Sequence, residues 1–244
     1  MTDVLILAAL FFAAALLYAS VGHAGASAYL AAMALVGLSP AVMRPTALVL
    51  NLFVASIVVF RFARAGHTSA RALAPFVIGS VPFAFLGGTI SLPPEIYRPL
   101  VAIVLLGGAL RLATSGGAST EDRSHVPWLP GIAAGAVIGL LAGLTGTGGG
   151  IFLTPLMVLA GWTGTRLAAG TSGAFILANS LAGLAGLIGT AQPLPAALPL
   201  WIAVVVAGGA IGAWLGSQGL TILSLRRVLA FVLLLAAAKL LFLP

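Results

Sequence analysis

Four glycines in five positions, Gly146 and Gly148 to Gly150, sit in the run Leu144-Thr-Gly-Thr-Gly-Gly-Gly150 and lead into Ile151-Phe-Leu-Thr-Pro. With no Cβ to shield them, the backbone N–H groups here are bare. A short helix starting at this point aims its first amides and the positive end of its dipole outward. The chemistry this permits is capture of an anion, with Thr147 inside the break as a further donor. A nucleotide phosphate loop is excluded, because no Lys-Ser/Thr follows and no strand precedes. A close helix crossing is the other reading, although a packing glycine has no need to break an apolar run.

A weaker copy, Val21-Gly-His-Ala-Gly-Ala-Ser27, lies about half a chain earlier. A shift of 123 residues places Gly25 on Gly148, Tyr29 on Phe152 and Leu30 on Leu153. A shift of 125 places Thr46 on Thr171, and one of 129 places Phe85-Leu86-Gly87 on Trp214-Leu215-Gly216 and Arg98 on Arg227. The first copy puts His23 between Gly22 and Gly25 where the second has a glycine. An ionisable group at membrane depth is a functional candidate. It can donate to an anion, carry a proton or satisfy a neighbouring carbonyl.

Other polar residues follow each break. Arg44 opens the third apolar run as Arg44-Pro-Thr46, either snorkelling to water or turning its guanidinium toward an oxyanion. Arg166 holds the matching place in the second half. Asn51 and Asn179 lie inside apolar runs, downstream of Thr46 and of Thr171-Ser172. Each either faces a shared cavity or bonds across helices.

No Asp or Glu falls in the middle of a run. That excludes intramembrane aspartyl chemistry and a carboxylate proton relay. His67 and His125 lie in loops, and cysteine is absent. A thiolate site has no donors, a His/carboxylate metal site is not expected from three histidines far apart in sequence, nothing calls for a cofactor, and no catalytic residue is assigned.

The elements that must position these residues are set by composition. Of 244 residues, 61% are hydrophobic and 6% charged, against about 25% charged in soluble domains. The net charge of +7 sits singly at the ends of apolar runs, without a basic face interleaved with aromatics. This excludes nucleic acid and points to orientation in a bilayer. Met1-Thr-Asp-Val lacks the basic region of a cleavable leader, so the first run is expected to stay.

Ten apolar segments are expected, five per half: 4–20, 26–37, 44–62, 73–91, 96–113, then 130–144, 150–161, 165–188, 197–217 and 224–243. Segments 26–37 and 150–161 are too short to span about 30 Å of hydrocarbon. Each is expected to pair with the run before it as a hairpin whose tip lies within the membrane, where bare backbone is tolerated only inside protein or a polar cavity. A hairpin plus three spans ends opposite to where it began, so the halves are inverted. The expected fold class is an all-α polytopic membrane protein of two inverted repeats, 1–113 and 130–244, joined by a cytoplasmic linker at 114–129.

Under this topology Arg61, Arg64, Arg71, Arg111, Arg123, Arg166, Arg226 and Arg227 collect on one face and Arg44, Arg98 and Lys239 on the other. The basic face is cytoplasmic by the positive-inside rule, leaving both termini periplasmic. Trp128, Trp162, Trp201 and Trp214 are expected as interfacial anchors. Glycine pairs such as Gly107-Gly108 and Gly208-Gly209 are expected to let helices pack closely. Duplicated halves with broken apolar segments in matching places are the pattern of a secondary transporter.

The paired breaks, Val21-Gly-His-Ala-Gly-Ala-Ser27 and Gly143-Leu-Thr-Gly-Thr-Gly-Gly-Gly150, followed by Gly170-Thr-Ser172, resemble the repeat motifs of the sulfite exporter TauE/SafE family. The resemblance covers essentially the whole chain. It implies a transporter of the bacterial inner membrane that exports sulfite, sulfoacetate or related organosulfur anions. By position it implies a substrate region at Gly146 and Gly148 to Gly150 in one hairpin, and Gly22, His23 and Gly25 in the other. His23, Ala26 and Ser27 depart from a full glycine motif. The partners expected are a small anionic substrate and the lipid bilayer, with room for a coupling proton or cation and for a homodimer. A passive anion channel of the same fold and a non-transporting membrane scaffold are the alternatives.

Overall fold

The computed structural model describes residues 2–114, 125–188, 194–218, 233–234 and 237–242. Among them the chain forms α1 (Thr2–Ser20), α2 (Ala26–Val36), α3 (Pro40–Arg64), α4 (Ala70–Thr89), α5 (Pro94–Thr114), α6 (Trp128–Thr145), α7 (Gly150–Leu159), α8 (Thr165–Leu187) and α9 (Leu198–Ser217). Each of the first nine expected segments coincides with one helix. Residues 233–234 and 237–242 are helical within the tenth, whose earlier part lies outside the described residues. So do residues 115–124 of the expected linker, while Trp128 and Leu129 already belong to α6.

The largest shift in a boundary is at α3, which starts at Pro40 and not at Arg44. Proline is tolerated in a first helical turn, where its missing N–H has no partner to lose. Arg44 and Pro45 therefore sit inside the helix.

Helices α1, α3, α4, α6, α8 and α9 are long and apolar enough to cross a membrane. By contrast α2 and α7 have 11 and 10 residues. At about 1.5 Å per residue they reach about half-way through a hydrocarbon core. Large apolar side chains such as Leu5, Phe60, Ile78, Ile103 and Val137 are exposed, as a lipid-facing surface requires. The chain is thus an all-helical, multi-pass membrane protein.

Lipid gives helices no hydrophobic reason to associate, so close backbone contact must hold them. Glycines at every fourth position supply it. On α6, a Cβ at Gly135, Gly139 or Gly143 would overlap the carbonyl oxygens of Phe76, Ser80 and Ala84 on α4. On α9, Gly208, Gly212 and Gly216 lie in the same way against Phe12, Leu16 and Ser20 of α1. Both pairs run parallel, since the numbers rise together. Helices α3 and α8 run antiparallel: Leu48 meets Gly183, Asn51 meets Ser180 and Val58 meets Gly173.

The tryptophans divide. Trp128 and Trp214 are exposed, and Trp162 is half-buried against Phe76. Trp201 is no interfacial anchor. It is buried, packs edge-on to Phe11 at 5.3 Å between centroids, and donates its indole N–H to the Val4 carbonyl at 3.3 Å. The close α1–α9 packing draws it inward.

Candidate functional site

Both breaks are built from glycines with φ near +80 to +100°. At the end of α1 the Gly22 N–H bonds the Ala19 carbonyl at 3.1 Å and the His23 N–H bonds Tyr18 at 2.8 Å, with Gly22 at φ 82°. This is the Schellman turn. At the end of α6 the Gly146 N–H bonds Ala142 at 2.8 Å, with φ 84°, the simpler left-handed stop. Gly25 (φ 103°) then caps α2 and Gly149 (φ 79°) caps α7, and neither cap offers a side-chain acceptor. Two half-length helices thus begin with first-turn amides that no capping side chain takes.

These caps fix the equivalence of the two breaks. Gly22 matches Gly146 and Gly25 matches Gly149, a shift of 124 and not 123. His23 therefore stands opposite Thr147 and does not replace a glycine. The correction comes from backbone conformation, which the identity of neighbouring glycines does not reveal.

The two tips touch. His23 Nε2 lies 2.9 Å from the Gly150 carbonyl and 3.1 Å from Thr154 Oγ1, and Nδ1 lies 2.9 Å from the Val21 carbonyl. Thr154 Oγ1 is 2.7 Å from Ser172 Oγ on α8. Asn51 on α3 donates from Nδ2 to Ser180 Oγ at 3.3 Å. A Cβ on Gly148 would come within 2.8 Å of that Asn51 nitrogen and 2.9 Å of Ile176. One on Gly150 would overlap Ile176. Thr147 is buried with its hydroxyl 2.9 Å from that of Thr145.

Several buried polar atoms here have no hydrogen-bond partner: both amide atoms of Asn179, Asn51 Oδ1 and the hydroxyls of Thr46 and Thr171. Each such atom costs about 1–3 kcal/mol when left unpaired. Ser172, Ile176 and Asn179 fall four and three residues apart, on one stripe of α8.

The structure thus brings together Gly22, His23, Gly25, Gly146 to Gly150 and Asn51. Thr171 and Asn179 are buried on the adjoining helix. Arg44 is buried and does not reach water, and of its three guanidinium nitrogens two are bonded to backbone while Nε has no hydrogen-bond partner. Its aliphatic stem packs on Gly146, while Nη1 donates to the Ile90 carbonyl at 2.8 Å and Nη2 to the Gly87 carbonyl. It closes the C-terminus of α4, where a cation is favoured. Arg166 is exposed at the start of α8. Sequence reasoning missed Thr154 and Ser180. Thr154 was within reach, because four residues after Gly150 it shares that glycine's helix face.

A separate recess at the C-terminal end of α2 is lined by Met43, Tyr97, Arg98 and Lys239, among others. Lys239 Nζ donates to the Leu35 carbonyl at 2.7 Å. Tyr97 joins the recess to the second tip, its hydroxyl donating to the Thr145 carbonyl at 3.0 Å.

Comparison with known proteins agrees with this architecture. Residues 6–240 match the family described as Sulfite exporter TauE/SafE. The chain is 41% identical over 244 residues to "Probable membrane transporter protein y4hK" of Sinorhizobium fredii (strain NBRC 101917 / NGR234), covering 98% of this chain and 99% of that protein. No solved structure matches it. The broken helices, the membrane-spanning bundle and a match over nearly the whole length lead to one conclusion: this chain is a membrane transporter, not an enzyme, and belongs to the sulfite exporter TauE/SafE family.

Proposed function

We propose that this protein exports small sulfur oxyanions, such as sulfite or sulfoacetate, across the bacterial inner membrane. It does so by alternating access around a site between the two glycine tips. The observation that carries the reading is the meeting of two helix N-termini without side-chain caps at mid-height of the bundle. Gly148 packs on Asn51, the twelfth of 25 residues in α3, and on Ile176, the twelfth of 23 in α8. Amides and dipole ends there can replace an anion's water, and no carboxylate in either tip repels it.

Two inverted repeats supply the moving parts. In support, the contacts recur with the halves exchanged. Gly22 lies against Ala169 and Gly146 against Arg44; α1 pairs with α9 as α6 pairs with α4. The matching helices α3 and α8 run in opposite directions, which inversion requires. The recess holding Arg98 and Lys239 gives an exported anion a positively charged exit, and Tyr97 links it to the second tip.

The test is flux into liposomes carrying the purified protein, with sulfite, sulfoacetate, thiosulfate and sulfate compared. Saturable flux of at least one of them is expected. Gly149→Leu should abolish it in folded protein, because Gly149 sits at φ 79° and the new side chain would press on Ile138 and Phe175 and displace the amides that open α7. Conductance without saturation would indicate a channel. Wild-type flux in folded Gly149→Leu would refute the site.

A further inference from the structure

Ser80 on α4 and Asn179 on α8 are fully buried, and neither the Ser80 hydroxyl nor either amide atom of Asn179 has a hydrogen-bond partner. The two residues lie level with one another. Helices α4 and α8 run parallel: the rings of Phe76 and Phe175 stand 6.4 Å apart, and farther along a Cβ on Gly88 would meet the Gly183 carbonyl and Gly186. Ser80 and Asn179 each follow one of those rings by four residues, one turn on along the same helix face.

The second tip lies against the same place. A Cβ on Gly149 would come within 3.0 Å of Phe175 and 2.7 Å of Ile138, and one on Gly148 within 2.9 Å of Ile176. Gly139, the residue after Ile138 on α6, packs on the Ser80 backbone. The unpartnered amide and hydroxyl thus sit beside the glycines that open α7.

The first half makes the corresponding contact from apolar groups. The shift of 125 residues puts Asn179 on Val54, and the shift of 129 puts Ser80 on Gly209. Those two also meet, since a Cβ on Gly209 would lie 3.0 Å from Val54 Cγ1. At the first tip the neighbouring hydroxyls are satisfied, Tyr18 with Ser27 and Tyr29 with the Ala24 carbonyl, both at 2.6 Å. A helix contact of this kind therefore closes without polar groups, and the Ser80–Asn179 pair is particular to the second tip.

Whichever way its amide is turned, Asn179 offers an NH2 that donates and a carbonyl that accepts. An oxyanion that only accepts would pair with the NH2 and with the amides of α7, and would leave the carbonyl oxygen of Asn179 buried and unpaired, which is costly. An oxyanion that also carries an O–H satisfies both ends of the amide, and the Ser80 hydroxyl can take either role.

We propose that Asn179 and Ser80 select, at the second tip, for a sulfur oxyanion bearing an O–H, such as hydrogensulfite or a hydroxyalkanesulfonate, against donor-free anions such as sulfate. The selection rests on the tips being the anion site, and it makes the second tip the one that reads the substrate.

The test uses two monoanions that differ by one hydroxyl, isethionate and its deoxy analogue ethanesulfonate, as inhibitors of sulfite flux into liposomes carrying the full chain. Isethionate is expected to inhibit at about tenfold lower concentration. Asn179→Leu should bring the two together, and Ser80→Ala should narrow the gap by less. Neither change should lower the unfolding midpoint in detergent, because each puts an apolar group where a polar one has no partner. A midpoint that falls in Asn179→Leu would mean that the amide is held within the fold, and would overturn the proposal. So would a gap that survives in Asn179→Leu. Equal inhibition by the two sulfonates, or none by either, would overturn the donor requirement while saturable sulfite flux kept the tips as an anion site. Absence of any sulfite flux would remove the anion reading of the tips and the selection with it.

Discussion

At the scale of the residue, Arg44 shows how far side-chain type leads. A guanidinium near a glycine break suits an oxyanion, and it equally suits two backbone carbonyls. Here it holds those of Gly87 and Ile90. Hydrogen bonds from a charged donor are worth about 1.5–3 kcal/mol each. Arg44→Met should therefore lower the unfolding midpoint in detergent sharply. Arg44→Lys, which can keep one bond, should fall between, with anion affinity unchanged in the folded fraction. Lost affinity in stable Arg44→Lys would return the guanidinium to the substrate site. The choice was illegible locally because it depends on where α4 ends, more than forty residues along the chain. His23 and the glycines were legible because an ionisable group and bare backbone are both anomalous in apolar sequence. Ser180 was not, since a lone hydroxyl in a membrane helix is ordinary.

At the scale of the element, helix limits were readable where apolar runs stop at glycines in left-handed turns, as at Gly22, Gly37, Gly66, Gly146 and Gly161, whereas α4, α8 and α9 end at Ile90, Ile188 and Gln218. What each helix touches was not. The four-residue spacing of Gly208, Gly212 and Gly216 announces a close crossing, and only the fold names α1 as its partner. A Cβ at Gly212 would overlap the Leu16 carbonyl, which cannot swing aside as a side-chain tip would. Gly107 on α5 has only the Phe152 ring nearby, 3.6 Å from an added Cβ. Gly212→Ala should thus destabilise by several kcal/mol, in the range of severe overpacking. Gly107→Ala should be neutral or stabilising by up to about 1 kcal/mol through helix propensity. Gly37→Ala isolates a third effect, as its φ is 87° with nothing within 4 Å. It should lose only the left-handed strain of about 1–2 kcal/mol. Unfolding midpoints of the three variants in one detergent decide this. Equal losses at Gly212 and Gly37 would mean that α1–α9 contact does not hold the halves together.

At the scale of the whole molecule, orientation joins the tips to a direction of transport. The His125 N–H bonds the Trp162 carbonyl at 3.1 Å. The start of the α6–α7 hairpin is therefore level with its end, as a segment that returns to its starting face demands. If α1–α2 behaves alike, the α2–α3 connection lies on the face of the N-terminus and the α3–α4 connection on the other. The second of these is flanked by Arg61, Arg64 and Arg71, which the positive-inside rule assigns to the cytoplasm. The absence of cysteine makes this directly measurable. Ser69 is a poor probe, because its hydroxyl accepts the Ala72 N–H and caps α4. Ala65, exposed just past α3, and Ser39, exposed at its start with no side-chain cap bond, can be changed freely. In intact cells Ser39→Cys should react with a membrane-impermeant thiol reagent, whereas Ala65→Cys should react only after the membrane is opened. The reverse pattern would invert the molecule. Labelling of both from outside would mean that α3 does not cross, and the pairing of inverted halves around the glycine tips would fall with it.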